Sequence, residues 1–212
     1  MKIKSIIVSL FLLFSTHTFA ENFVEDFDYA KPECSIGEVD ESIHENGYRF
    51  LFPKYSFSDI EFYVSDEMGY EWVEYAESAA KEINNIKSNL NVTIVKNRTV
   101  NSSVISYKDD LDYCVAAGAL KPSRGKIGQK IVINPGLDSY EDKEKIGVLI
   151  HEMLHTVGFQ HAGTEDGSFL RGSDHIGLWK DARFKPIMRP DTGNYKLTLL
   201  DKFSIRRLFP KK

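Results

Sequence analysis

The sequence predicts an α+β fold in which a mixed, twisted sheet is combined with three helices. Three observations carry this. Short segments rich in β-branched and aromatic residues recur between Ile60 and Asn134. Two long stretches place apolar residues at three- and four-residue steps, the helical period. A third helical stretch opens with Thr198 and Asp201 at capping-box spacing and stops at Pro210. At 212 residues, 42% hydrophobic and 27% charged, the chain is long and apolar enough to bury one ordinary core.

Residues 1–20 stand apart. Lys2 and Lys4 precede an apolar run from Ile6 to Phe14, and Thr18-Phe19-Ala20 ends in a small residue. Those three parts predict a secretory signal peptide, and hence a secreted or periplasmic protein; an uncleaved N-terminal anchor is the alternative. The apolar run is far below the ~20 residues of a membrane span. Losing Lys2 and Lys4, with no acid among the first twenty residues, takes the net charge from -4 to -6. An acidic chain of this kind lacks the basic footprint of a nucleic-acid binder.

Residues 21–53 are acidic and weakly patterned, and are expected to form an N-terminal extension or short propeptide ahead of a catalytic domain over 54–212. Within that domain, Ile60–Val64 alternates as a strand. A helix is predicted from about Glu71 to Asn89, with Trp72, Ala76, Ala79, Ala80, Ile83, Ile86 and Leu90 as its core stripe. Strands follow at Val92–Val95, Val104–Tyr107, Tyr113–Leu120 and Lys130–Asn134, the last broken by Pro135 and Gly136. The second helix starts near Ser139, with Asp142 at capping-box spacing, and buries Ile146, Leu149, Ile150, Met153, Leu154 and Val157. Gly158 is placed to end it with a positive φ. The third helix spans Leu199 to Phe209.

The chemistry sits on the second helix. His151 and His155 are four residues apart, on one face and one turn from each other. Gly158 lets the chain turn back so that His161 becomes a third ligand. Three neutral imidazoles leave the fourth tetrahedral position open, which suits a catalytic zinc rather than a structural one. Glu152, beside the first ligand, is the candidate general base for a zinc-acidified water. The chain has six histidines in all, so chance placement of three at this spacing is rare.

This segment, His151-Glu152-Met153-Leu154-His155-Thr156-Val157-Gly158-Phe159-Gln160-His161, resembles the extended zinc signature of the metzincin peptidases. Pro186-Ile187-Met188-Arg189-Pro190 resembles that clan's Met-turn, with Met188 as the turn methionine and the Met188-x-Pro190 pattern most similar to the matrixins. Arg189 stands where matrixins commonly carry Tyr, and the third ligand and the methionine are 27 residues apart, longer than in typical matrixins. The matrixin structural zinc needs further histidines, and only His44 and His175 remain beyond the signal segment, so one zinc is expected and no second.

The resemblance implies a zinc-dependent endopeptidase acting on extended polypeptides. It also implies that substrate pairs with an exposed edge strand, for which Val115, Ala116, Ala117, Gly118, Ala119 and Leu120 are the candidates; an ordinary core strand is the other reading. Arg189 would lie near the primed-side pocket and favour an acidic or polar residue after the cut. A peptidase-derived zinc-containing binding or adhesion module without turnover is the alternative function. A monomer is expected.

Cys34 and Cys114 are the two cysteines, and both follow the export signal, which predicts a disulfide between them. Pro32-Glu33-Cys34 also resembles, without the Arg and the following Gly, the segment through which matrixin propeptides place a thiolate on zinc. Asp109, Asp110 and Asp112 could offer oxygen ligands to calcium but lack the EF-hand pattern, and a solvated acidic turn is the simpler reading. Glu165, Asp166 and Asp174 are read in the same way.

Overall fold

The computed structural model describes residues 23–27, 48–51, 58–162, 167–171, 173, 186–189 and 195–211. The signal segment, Cys34, His44, Glu165, Asp166, Asp174, His175 and Pro190 lie outside the described residues. The fold is α+β, as expected. A six-stranded mixed sheet has the order β1 (Phe23–Phe27), β6 (Val115–Leu120), β7 (Lys130–Ile133), β5 (Ser103–Tyr107), β3 (Asp59–Val64), β4 (Asn91–Ile94). Strands β7, β5, β3 and β4 run parallel; β6 is antiparallel to both β7 and β1. A two-stranded ribbon pairs β2 (Arg49–Phe50) with β8 (Ser168–Phe169).

Helix α1 (Tyr70–Asn84) buries the predicted stripe, from Trp72 through Ile83, and packs on α2 (Asp142–Thr156). It ends five residues earlier than the periodicity predicts. The Asn84 side chain donates to the Val92 carbonyl and accepts the Val92 N–H, both at 2.8 Å, so it serves β4 rather than the helix. Lys87 then takes a left-handed φ of 59°, while Ile86 and Leu90 stay buried in the turn.

Helix α2 also starts later than predicted. Ser139 donates its hydroxyl to the Gly136 carbonyl and closes the 3-10 turn Pro135–Ser139. Glu141 is the N-cap instead, its N–H donating to the Glu144 carboxylate at 3.0 Å. Helix α3 (Leu199–Leu208) keeps the predicted Thr198 and Asp201 capping box.

Two findings bear on the site. The segment read as a weakly patterned extension supplies both β1 and β2, and Tyr48 and Phe50 lie in the core. Strand β6, expected as an exposed edge, is paired on both sides: β7 takes one edge and β1 the other. Its side chains from Val115 to Ala119 are buried, and α2 packs across it. Among the described residues no helix is long and apolar enough to cross a membrane.

Candidate active site

The second half of α2 is buried on all sides. His151 is 3% exposed, and Glu152 and His155 are 0% exposed. Polar groups this deep require partners. Helix geometry puts His151 and His155 on one face, and the backbone then fixes both rings. His151 Nδ1 donates to the Ile187 carbonyl at 2.6 Å, and His155 Nδ1 donates to the Phe159 carbonyl at 2.7 Å.

Those two bonds set the tautomers. A carbonyl only accepts, so each Nδ1 carries the proton and each Nε2 presents a lone pair. The two Nε2 atoms face one another at 2.9 Å. With both rings neutral, as a metal ligand requires, two lone pairs at that distance repel. A cation between them reverses the sign of the interaction. Two nitrogens on a tetrahedral zinc, each ~2.0–2.1 Å from the ion, lie about 3.3 Å apart, close to the separation here. His161, half-buried, brings its ring to 5.3 Å from His151 and 4.7 Å from His155 between centroids. One ligand atom from each of the three lies within 4.8 Å of the others, and no other such cluster of metal-binding side chains occurs among the described residues. The donor set and its orientation fit zinc.

The return of His161 depends on Gly158. Its φ is 108°, a conformation L side chains rarely adopt, and a Cβ there would meet the Phe50 ring at 3.1 and 3.2 Å. Strand β2 braces the same loop. Leu51 N–H donates to the Gly158 carbonyl at 2.9 Å, and Gln160 N–H donates to the Arg49 carbonyl at 3.1 Å. Phe50 packs edge-on against Phe159. The loop between the second and third histidines is therefore held by residues far upstream in sequence.

The turn over Pro186–Arg189 holds both ends of the histidine segment. Ile187 accepts from His151, and the Met188 carbonyl accepts the Ala162 N–H at 2.6 Å. Met188 is fully buried and Arg189 half-buried. Behind the turn lies Asp201, 1% exposed. Its Oδ1 accepts the Ile187 N–H at 3.0 Å and the Tyr48 hydroxyl; its Oδ2 accepts the Thr198 N–H at 2.6 Å and the Thr198 hydroxyl at 2.7 Å. Burial pushes the Asp201 carboxyl up to about 7, against the pull of the Thr198 and Ile187 backbone N–H groups.

The three predicted histidines are thus brought together on α2 and its return loop; Glu152 follows His151 on α2 and is buried, and Met188 lies in the supporting turn. The small residues of β6 lie on the strand that α2 packs against. The acidic turn does not gather a cluster: Asp112 accepts the Cys114 N–H at 2.9 Å, and Asp110 lies 3.8 Å from Lys108. No cysteine is free among the described residues. The sequence reading did not find Tyr48, the bracing strand β2, or the second role of Asp201. The Thr198 and Asp201 capping box was visible, but nothing local shows that the same carboxylate reaches the Ile187 backbone.

Comparison with known proteins adds a family match. The model of the Peptidase M57 family, described as dual-action HEIGH metallo-peptidase, matches residues 71–170. The His-Glu-x-x-His core in the family's name reads His151-Glu152-Met153-Leu154-His155 here. No curated protein matches the chain. A structure of myroilysin aligns with a TM-score of 0.51 at 13% identity, covering 78% of this chain and 100% of that one, a likeness of fold. A crystal structure of myroilysin gives 0.47 at 15%, covering 82% and 97%. High choriolytic enzyme 1, a hatching enzyme zinc-protease from Oryzias latipes (Medaka fish), gives 0.35 at 23%, covering 52% and 50%. Neither of these two is similar enough to carry an argument. The family match, which spans all three histidines, and the convergence of those histidines support a zinc metallopeptidase on a metzincin-like fold.

Proposed function

We propose that the chain is an exported zinc endopeptidase that cuts extended polypeptides, with His151, His155 and His161 as zinc ligands and Glu152 as the general base. One observation carries the reading. The Nδ1 atoms of His151 and His155 both bond backbone carbonyls, so their Nε2 atoms converge, 2.9 Å apart, on the place where zinc would be held. Zinc held there supplies Lewis acidity, bringing the pKa of a water to about 7 and polarising a carbonyl.

The chain's own groups do the rest. Glu152 follows His151 on α2 and is fully buried. It takes a proton from the attacking water and returns it to the amide nitrogen of the departing fragment. The buried setting excludes bulk water that would screen these charges. Met188, at 0% exposure, follows Ile187, whose carbonyl receives His151. The expected substrate contacts are weaker: β6 is paired on both edges, and the place of Arg189 at the primed side rests on the Met-turn resemblance. Within the metzincins, the matrixin-like assignment rests on Met188-x-Pro190 alone.

The test pairs two substitutions. Glu152→Gln should keep zinc near one equivalent while lowering kcat by roughly 10²–10⁴-fold. His155→Ala should lose zinc as well as activity. Zinc-loaded wild type that cleaves nothing in a broad peptide library would favour a binding module without turnover. Full activity in Glu152→Gln would mean the base is misassigned.

A further inference from the structure

The chain as a whole is acidic, with a net charge of -4, yet its C-terminal stretch runs the other way. Residues 195–211 hold five cations against a single acid, Asp201, and that acid is buried. The fold brings part of this charge to a cleft of about 470 Å³ between α1, α2 and the start of α3. Half-buried Ile146 and Leu197 give it an apolar lining. Lys81 from α1, Lys143 from α2, and Lys196 and Lys202 from the C-terminal stretch supply ammonium groups. Lys143 is paired with Glu141 at 2.6 Å, and among the described residues Glu82 is the one acid of the lining, so cations remain in excess.

The charge continues beyond the cleft. Arg206 lies four residues after Lys202, on the same side of α3, and its Nε donates to the Ile86 carbonyl at 2.9 Å, just past the end of α1. A cationic track thus follows the cleft toward the C-terminal end of α1.

We propose that this cleft is an exosite that holds an acidic and apolar stretch of the polypeptide substrate, away from the bond to be cut. The inference rests on the peptidase reading above and adds the substrate class of that site. The ammonium groups come from three separate parts of the chain, which suits several carboxylates along a polypeptide better than one small anion. Lysine heads on flexible stems tolerate carboxylates at varied spacing. Each exposed lysine–carboxylate pair is weak alone, so a ligand must combine several of them with apolar contact.

The cleft also lies within reach of the metal centre. Ile150, which lines it, directly precedes the ligand His151 on α2. From Ile146 to His155 the helix rises only about 14 Å. An extended spacer of about eight residues spans roughly 26 Å, enough to run from the cleft around α2 to the zinc ligands.

The experiment uses a tag peptide of alternating glutamate and leucine, and a control tag with lysine in place of glutamate. Each is tested alone, fluorescently labelled, and joined by an eight-residue glycine–serine spacer to either end of a fluorogenic core peptide. The protein variant is Lys81→Glu/Lys196→Glu. Lys202 is left alone because its charge acts on Asp201. Anisotropy of the labelled tags is read on zinc-loaded Glu152→Gln protein with and without the two lysine changes, which needs no turnover. KM and kcat are read on the otherwise unaltered enzyme and on the double variant.

The acidic tag should bind, and the double variant should lose about tenfold or more in affinity. Raising the salt from 0.1 to 1 M should weaken the tag's binding, because the screening length falls from about 10 to about 3 Å. The control tag should show the reverse preference, binding the double variant better than the parent, a swap that a merely structural role of the lysines would not produce. The acidic tag should lower KM about tenfold at one end of the core peptide, and the double variant should abolish that advantage while kcat and KM on the untagged core stay unchanged. Equal binding of the acidic tag by both proteins overturns the proposal. So does a KM advantage that survives in the double variant, or binding of phosphatidylglycerol vesicles or inorganic phosphate with none of the tag. Should the double variant fail to fold, Lys81→Gln/Lys196→Gln takes its place, and unchanged tag affinity there overturns the proposal equally. Tag binding that depends on the two lysines, with no cleavage of any peptide, leaves the exosite standing and removes the peptidase reading instead.

Discussion

The Asp201 carboxylate accepts the backbone N–H of Ile187 at 3.0 Å, and Ile187 is the residue whose carbonyl receives His151 Nδ1. The C-terminal helix is thereby coupled to a ligand ring through one backbone residue. Tyr48, from the opposite end of the chain, donates to the same carboxylate. Asp201 acts at one remove from the ring: it positions the turn whose Ile187 carbonyl receives His151.

Replacing Asp201 with Ala should therefore weaken zinc binding without removing a ligand. Groups that orient a ligating histidine typically contribute 10–100-fold in metal affinity. Because the carboxylate acts through Ile187, about tenfold is expected, measured by competition with a chelator of known affinity. Tyr48→Phe should show a smaller loss in the same direction. Unchanged affinity in folded Asp201→Ala would mean that the turn holds His151 without help.

Asp201 also predicts a pH dependence. Its folded-state pKa, pushed up to about 7 by burial, lies above the ordinary Asp value of 3.8. The folded state binds this proton more tightly than the unfolded chain does. The resulting stability is complete below about pH 4, declines as the pH rises, and is gone above about pH 7, a difference on the order of a few kcal/mol. Zinc-free protein should be compared with Asp201→Asn by chemical denaturation from pH 4.5 to 8.5, so that histidine protonation is common to both. Wild type should lose stability relative to the variant as the pH rises. A constant difference across that range would show that Asp201 does not titrate there.

The contrast between what was legible and what was not follows range along the chain. His151, Glu152, His155, Gly158 and His161 share one helix and its return turn, so spacing alone conveys their geometry. The core stripe of α1 was visible for the same reason. Its end was not, because Asn84 is claimed by Val92 across a turn. The cap of α2 went to Glu141 rather than Ser139 because a preceding 3-10 turn uses the Ser139 hydroxyl. Hardest to see were β1 and β2. Their sequences are short and acidic or mixed, and their partners lie 88 or more residues away, at β6 and at the Gly158 loop.

Gly158→Ala tests the return turn directly. The backbone φ of 108° and the 3.1 Å approach to Phe50 both oppose a methyl group. A strained conformation of this kind costs of order 1–3 kcal/mol. Two kcal/mol corresponds to roughly 4–8 °C in Tm for a chain of this size. Calorimetry of the zinc-free protein should show that loss, and zinc affinity should fall with it because His161 is displaced. A Tm within about 1 °C of wild type would show that the loop relaxes freely.

The two cysteines provide the last test. Cys114 directly precedes β6 and Cys34 follows β1 by seven residues, so a Cys34–Cys114 bridge would fasten the N-terminal strand beside the edge it occupies. A bridge closing about 80 residues contributes roughly 4 kcal/mol in the chain-entropy model, less any native strain. Non-reducing mass spectrometry should find one intramolecular bridge and no free thiol. Reduction should lower Tm, and Cys34→Ser and Cys114→Ser should behave alike. The competing idea, a Cys34 thiolate placed on zinc, predicts asymmetry: Cys34→Ser would raise activity while Cys114→Ser would not. Two free thiols with that asymmetry would remove the bridge.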